Sequence, residues 1–354
     1  MKNMNKSDKI KGCLIGGAIG DALGYPIEFM SIEQIRYKYG PNGFKKYENT
    51  QISDDTQMTL FTLDGILYAK HNFSNENYWL NKNILIPSIF HAYQDWLLTQ
   101  TQEYPISKNI KTYSQLVHIP EMFSRRAPGA TCINALLSKE RGSINNPLND
   151  SKGCGGVMRV APIALALYDT NLPEQEIALL GAEVAALTHG HELGYIPAAA
   201  LVFILTELLR EKKLQQILEE ISPFLLALFP ESKELHKLLT LITQAKMLAK
   251  INTPEDKGFE ILGQGWVAEE TLAIAIFCAL KYQNNFEKGI FAAVNHSGDS
   301  DSTGSITGQI LGTALGIKAI SSEYIDYLEL KDIILELAED LKRPIPLLNL
   351  AKNI

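Results

Sequence analysis

The chain has 354 residues, 46% of them hydrophobic and 21% charged, a balance that buries a sizeable core and excludes disordered and fibrous classes. A net charge of −7 and a pI near 5.6 argue against a phosphate backbone as partner, which requires clustered Lys and Arg, so no nucleic acid is expected and an acidic pocket calls for cations. Cys13, Cys132, Cys154 and Cys278 lie far apart with no zinc-ligand or redox spacing, the start of the chain is polar, and no apolar run reaches the roughly 18 residues of a membrane span. A single cytoplasmic domain over 1–354, away from membranes, is the expectation.

Taken in chain order, Ser7 is placed to cap a helix in which Ile10, Leu14, Ala18 and Ala22 recur at helical spacing. Gly16 and Gly20 give that helix a small-residue face on which a neighbour can approach closely. A second helix is expected from Ser53 to Lys70, followed by a polar loop over 71–83. Further helical periodicity covers 87–98, 173–187, 192–211, 214–220, 232–250, 268–281, 302–317 and 332–341, while alternating strand patterns are almost absent. No repeat or Pro/Gly-rich linker divides the chain, so the pattern predicts an all-α, compact helical bundle with functional loops.

Two acidic helix starts stand out. Ser53-Asp54-Asp55-Thr56 and Asp299-Ser300-Asp301-Ser302 each place oxygen ligands at a helix N-terminus. Either alone is an ordinary cap complementing the helix dipole. Yet no Lys or Arg occurs in 47–69 or 289–317, so local ion pairs cannot neutralise the acids. If the clusters meet, a carboxylate pair at about 6 Å repels by about 3 kcal/mol at an effective dielectric of about 20, and a bound cation reverses that sign. The donors are oxygens, with only His296 nearby, which favours magnesium, manganese or calcium over zinc or copper. Gly298, Gly304, Gly308, Gly312 and Gly316 read mostly as packing devices.

Five ordered segments resemble the ADP-ribosyl-glycohydrolase family. They are Gly16-Gly17-Ala18-Ile19-Gly20-Asp21-Ala22-Leu23-Gly24 with Pro26 and Glu28, then Ser53-Asp54-Asp55-Thr56-Gln57-Met58, then Ser151-Lys152-Gly153-Cys154-Gly155-Gly156-Val157-Met158-Arg159. Thr188-His189-Gly190-His191 and Gly298-Asp299-Ser300-Asp301-Ser302-Thr303-Gly304 complete the set, and the whole spans 12 to about 316. The resemblance implies a helical fold holding two Mg²⁺ or Mn²⁺ ions, with Ser53, Asp54, Asp55, Asp299, Asp301 and Ser302 as ligands. Ser302 stands where the family commonly has Thr, which keeps the hydroxyl, and Cys154 stands where some relatives have Asn, which alters a polar contact to substrate.

The implied activity is removal of ADP-ribose from a modified protein side chain or small molecule, with an arginine-type linkage favoured. Cleavage at the anomeric carbon of ribose needs an oriented sugar, an activated water and help for the leaving group. The resemblance gives catalytic parts to Glu28, Asp55 and Asp299. Gly153, Gly155 and Gly156, beside Ser151, Lys152 and Cys154, offer backbone N–H groups for a pyrophosphate, and His189 is placed near substrate. His191 reads as a cap or a buried imidazole, Trp266 as core in preference to a stacking platform, and Asp21 as a backbone cap or outer contact. Asp95 carries little functional signal. Two other functions fit the same residues: a two-metal nucleotide phosphohydrolase and a catalytically silent binding protein of the same fold.

Overall fold

The computed structural model describes residues 5–45, 51–73 and 75–343, and helices carry its architecture. In chain order they are α1 (Lys6–Gly24), α2 (Ile32–Tyr39), α3 (Asp54–Asn72), α4 (Lys82–Thr101), α5 (Ala130–Leu137), α6 (Ala161–Leu167), α7 (Glu174–Ala186) and α8 (Glu192–Leu209). The second half adds α9 (Leu214–Leu228), α10 (Leu235–Lys250), α11 (Glu255–Leu262), α12 (Ala268–Lys281), α13 (Phe286–Val294), α14 (Ser300–Leu315), α15 (Ser322–Tyr327) and α16 (Lys331–Asp340). Among the described residues extended pairing is limited to two isolated bridges, Ser143 with Asn146 and Gly153 with Val267. The all-α expectation holds.

The position of everything else follows from the contact between α1 and α14. These helices run antiparallel with Gly12, Gly16 and Gly20 opposed to Gly312, Gly308 and Gly304, and with Gly24 against the Ser300 backbone. A Cβ placed at Gly16 would stand 2.5 Å from the Gly308 carbonyl oxygen, and one at Gly308 would fall inside the Gly16 carbonyl. Backbone therefore lies on backbone, as the four-residue spacing of small residues predicts. The packing role expected of Gly304, Gly308 and Gly312 is what the structure shows. Gly316 ends α14 in the left-handed region at φ 73°, its N–H returning to the Gly312 carbonyl.

Around this seam a contiguous apolar core runs through α3, α7, α8 and α12. Helix α8 corrects one sequence expectation: at 18 residues with mean hydropathy 1.6 it is long and apolar enough to cross a membrane by composition. It is 94% buried inside the protein, apolar all round because neighbours cover every face.

Other departures have local causes. Asn5, and not Ser7, caps α1, accepting from the Ser7 amide. Asp299 caps α14, which starts at Ser300 two residues before its periodicity shows. The expected loop over 71–83 is largely helical: α3 runs to Asn72, a 3-10 stretch spans Asn75–Leu80, and α4 begins at Lys82, carrying Pro87 in its first turns. Helix α9 continues past Glu220 to Leu228 although Pro223 lies inside it. Six short helices of six to nine residues (α2, α5, α6, α11, α13, α15) escaped the periodicity, because two turns contain too few apolar positions to define a face.

The seam gives a stability prediction. Gly308→Ala is expected to lose about 2 to about 3 kcal/mol in chemical denaturation, the upper half of the usual range for overpacking, because no flexible side chain can yield. Gly129→Ala, whose Cβ would meet nothing closer than 3.9 Å, serves as control and should stay within about 0.5 kcal/mol. Equal effects would show that the close approach is not a constraint.

Candidate active site

The seam brings one end of α1 to the start of α14, and Asp21 then fixes α3 to both. Asp21 is fully buried inside α1, and its carboxylate accepts from the Ser53 amide at 3.0 Å, the Thr56 amide at 3.0 Å and the Thr56 hydroxyl. It thus caps the N-terminus of a different helix, the backbone role expected of it. Ser53 is the N-cap of α3 and accepts from the Asp55 amide at 3.2 Å. Asp54 turns the other way and accepts from the Gly129 amide at 3.1 Å.

On α14, Asp299 and Asp301 both accept from the Ser302 amide, at 3.2 and 3.0 Å. Ser302 Oγ then donates to Asp55 Oδ1 at 3.3 Å, so the two acidic helix starts meet directly. Glu28 closes the group from the turn after α1: one oxygen each from Glu28, Asp299 and Asp301 lie within 4.8 Å of one another.

Six carboxyls, Asp21, Glu28, Asp54, Asp55, Asp299 and Asp301, are thereby buried together. Burial raises all six, and repulsion from neighbouring carboxylates adds to it at Asp21, raised to about 7 with Asp301 the leading charge, and at Glu28, raised to about 10 with Asp301 and Asp299. Asp54, Asp55 and Asp299 stand well above the carboxylate range, and Asp301 is raised too. No Lys or Arg is ion-paired to them among the described residues. Arg126, behind Ile52, is committed to Glu329 at 2.8 Å. Glu28 Oε2 and Asp55 Oδ2 are buried without any hydrogen-bond partner. Hard oxygen donors, uncompensated charge and orphaned oxygens together fit a divalent cation of the magnesium or manganese kind.

The glycine-rich segment lies against this group. Cys154–Gly156 forms a 3-10 turn whose opening amides have no partner inside it. The Cys154 thiol faces Asp299 and Ser302, and burial pushes it well above its ordinary range. Its place is therefore beside the acids. Ser151 Oγ lies 3.0 Å from Thr131 Oγ1, and Lys152 comes to the turn but its ammonium pairs with Glu269. His189 packs beneath the turn, where a Cβ on Gly155 would stand 3.1 Å from its ring.

A sequence profile of the ADP-ribosylglycohydrolase family matches residues 2–349. The chain belongs to the ADP-ribosylglycohydrolase family. It is 21% identical over 332 residues to the ADP-ribosyl-[dinitrogen reductase] glycohydrolase of Rhodospirillum rubrum, covering 92% of this chain and 91% of that protein. To the ADP-ribosylarginine hydrolase Tri1 of Serratia proteamaculans it is 25% identical over 339 residues, covering 94% and 79%. The fold matches an ADP-ribosylglycohydrolase-related protein complex with a TM-score of 0.67 at 23% identity, over 96% of this chain and 99% of that one. As an ADP-ribosylglycohydrolase the protein is an enzyme that removes ADP-ribose from modified substrates.

Within this ADP-ribosylglycohydrolase three sequence readings change or sharpen. Trp266 is not core: it is 39% exposed and stacks on Phe29, itself 74% exposed and next to Glu28, with ring centroids 5.8 Å apart. Whether a Trp opening a helix is covered depends on distant segments, and Phe29 carried no signal beyond its adjacency to Glu28. His191 is the expected cap, Nδ1 accepting from the Leu193 amide at 2.9 Å. Asp95 is structural, holding the Tyr113 and Ser114 amides at 2.6 and 2.7 Å. Thr56 and Arg159 were missed as individual residues although both stand inside the quoted motifs.

The raised carboxyls fix the sign of a pH dependence. Cation-free folded protein holds protons that the unfolded chain releases near pH 4, so stability is full below that pH. It should then decline as pH rises through about 7, where Asp21 titrates, toward about 10, where Glu28 does. Asp301→Asn keeps the amide contact and removes one charge. In chelator it should raise the melting midpoint at pH 8 and flatten the slope. A lower midpoint with an unchanged slope would mean that repulsion does not govern the cluster.

Proposed function

We propose that this enzyme cleaves the bond between ribose C1 and a guanidine nitrogen of ADP-ribosylated arginine in a protein, using two Mg²⁺ or Mn²⁺ ions. The ligands in this proposal are Ser53, Asp54, Asp55, Asp299, Asp301 and Ser302. What carries it is the meeting of two base-free acid clusters from distant parts of the chain, with buried oxygens of Glu28 and Asp55 unbonded. Bound divalent ions supply Lewis acidity, orientation of ribose hydroxyls and a lowered pKa of water.

The chain's own residues supply the rest. As the C1–N bond breaks, the oxygen of water bonds to C1. Its proton passes to a carboxylate, Asp55 or Asp299, and the departing nitrogen takes up a proton. Glu28, beside Asp299 and Asp301, is the acid placed to exchange it. Ser151, Lys152, Gly153, Cys154, Gly155 and His189 form the proposed seat of the ADP-ribosyl group, with Lys152 exchanging from Glu269 when phosphate arrives.

Arginine is favoured because its guanidinium is a planar cation. The acid cluster attracts it, and the exposed Phe29–Trp266 pair next to Glu28 offers a surface that accepts such cations. Similarity to a protein named ADP-ribosylarginine hydrolase supports the same choice. Four unpaired cysteines support a cytoplasmic setting.

Incubation with arginine-linked and serine-linked ADP-ribosyl substrates, in Mg²⁺, Mn²⁺ or chelator, should release intact ADP-ribose from the arginine form and only with metal. Released phosphate or AMP would instead identify a phosphohydrolase, and cleavage of the serine form alone would overturn the linkage. By calorimetry Asp301→Ala should lose cation binding, and unchanged binding would remove Asp301 from the ligand set.

Glu28→Gln keeps shape and loses the charge. Turnover should fall roughly 10²- to 10⁴-fold while ADP-ribose affinity is retained, the range for a lost general acid or base. Turnover within about threefold of the parent would exclude Glu28 from the chemistry.

A further inference from the structure

Arg159 is a large buried charge that the proposed chemistry does not use. Its side chain is wholly buried, and among the described residues it has no carboxylate partner. The guanidinium lies over the Tyr93 ring at 4.4 Å and touches Met58 and Cys132 through sulfur. A buried cation without an anion is costly unless its field is used.

Its shortest polar contact shows where that field goes. Arg159 Nη2 donates to Thr188 Oγ1 at 2.7 Å, and Thr188 Oγ1 lies 2.8 Å from His189 Nδ1. A hydroxyl has one hydrogen to give. With Arg159 filling a lone pair, that hydrogen has two acceptors in reach, the imidazole Nδ1 and the Cys132 sulfur. Sulfur is the weaker acceptor, and a hydroxyl polarised by a guanidinium is the stronger donor, so the hydrogen goes to Nδ1. The ring proton of neutral imidazole must then sit on Nε2.

Nε2 has no hydrogen-bond partner among the described residues, and it faces the glycine turn, 3.5 Å from where a Cβ on Gly153 would stand. Burial, with Arg159 adding to it, lowers the imidazole pKa to about 3, so the ring is neutral across the working range.

We propose that Arg159 and Thr188 are positioning residues that lock His189 in its Nε2–H tautomer, making it a single-proton donor to an oxygen of the ADP-ribosyl group seated on the Gly153–Gly155 turn. This rests on the ADP-ribose reading of that turn, but the tautomer itself does not. A cation lodged behind a histidine would ordinarily serve an anion, and here it is spent on fixing one proton. A charged His189 would compete with the metal ions for the carboxylates, whereas a neutral donor recognises a ligand oxygen without doing so.

The test uses the full chain labelled with ¹⁵N-histidine, the His189 signals being assigned by their loss in His189→Gln. Without ligand, His189 should show Nε2 protonated and Nδ1 bare, and added ADP-ribose should shift the Nε2–H resonance. Thr188→Val, which removes the hydroxyl at constant shape, should give a mixture of tautomers. Thr188→Ser should restore the single form. ADP-ribose affinity should follow the tautomer, and His189→Phe should weaken it by about tenfold to about a hundredfold, the range for a hydrogen bond to a charged group. Nδ1–H in the parent protein overturns the proposal whatever the variants do, as does an Nε2–H form that persists with full affinity in Thr188→Val. A correct tautomer with an unmoved resonance at saturating ADP-ribose overturns the donor role alone. Absence of ADP-ribose binding altogether would count against the function proposed for the turn, leaving the lock intact.

Discussion

The approach of α1 to α14 is the constraint on which the site depends. Two helices meet without side chains between them, so their relative position is set by backbone contact and has almost no latitude. A seam built from Leu or Val would have held the axes further apart, and side chains of varied rotamer would have let them slide. Asp21 on one helix and Asp299 and Asp301 on the other are the short side chains that profit. They reach common ground only because the backbones that carry them are pressed together. Asp21 then extends the precision to α3, fastening its first turn by three hydrogen bonds and so delivering Ser53, Asp54 and Asp55.

The interior is divided by sign of charge. Among the described residues the six carboxyls against the glycine turn have no ion-paired base, and Arg159, reaching the turn through Thr188 and His189, has no paired acid. Pairing them would have been the cheap arrangement for folding. Keeping them apart leaves a field across the turn that suits a ligand carrying negative charge at one end, as an ADP-ribosyl group does. Stability is thereby given up at a functional site, as the orphaned oxygens of Glu28 and Asp55 attest.

Much of this was legible in the sequence, for identifiable reasons. The base-free stretches around Asp54, Asp55, Asp299 and Asp301 announced uncompensated charge, and the spacing of Gly16 and Gly20 announced a close approach. Helices of three or more turns declared themselves by periodicity, and short ones such as α2 and α11 did not. What stayed hidden was anything decided by a distant partner. Lys152 beside glycines reads as a phosphate ligand, and nothing in the sequence shows that Glu269, on α12, pairs with its ammonium. Trp266 reads as core until it proves 39% exposed and stacked on an exposed Phe29. Cys154 reads as a substrate contact, and nothing in the sequence shows that its thiol also faces Asp299 and Ser302. Arg159 inside a glycine-rich motif gives no hint that its partner is a threonine.

The hydrogen bond from Ser302 to Asp55 joins residues 247 positions apart. Helix α1 waits longer still for α14, and until that helix leaves the ribosome its glycine face lacks the surface it lies on. Every intermediate in synthesis therefore carries a bare seam and a divided set of acids, a long-range closure of the slow kind. The same separation means that no early fragment can hold half a working centre. Competence comes at once, when α14 closes on α1, and the activity of a preparation becomes a direct count of correctly closed chains.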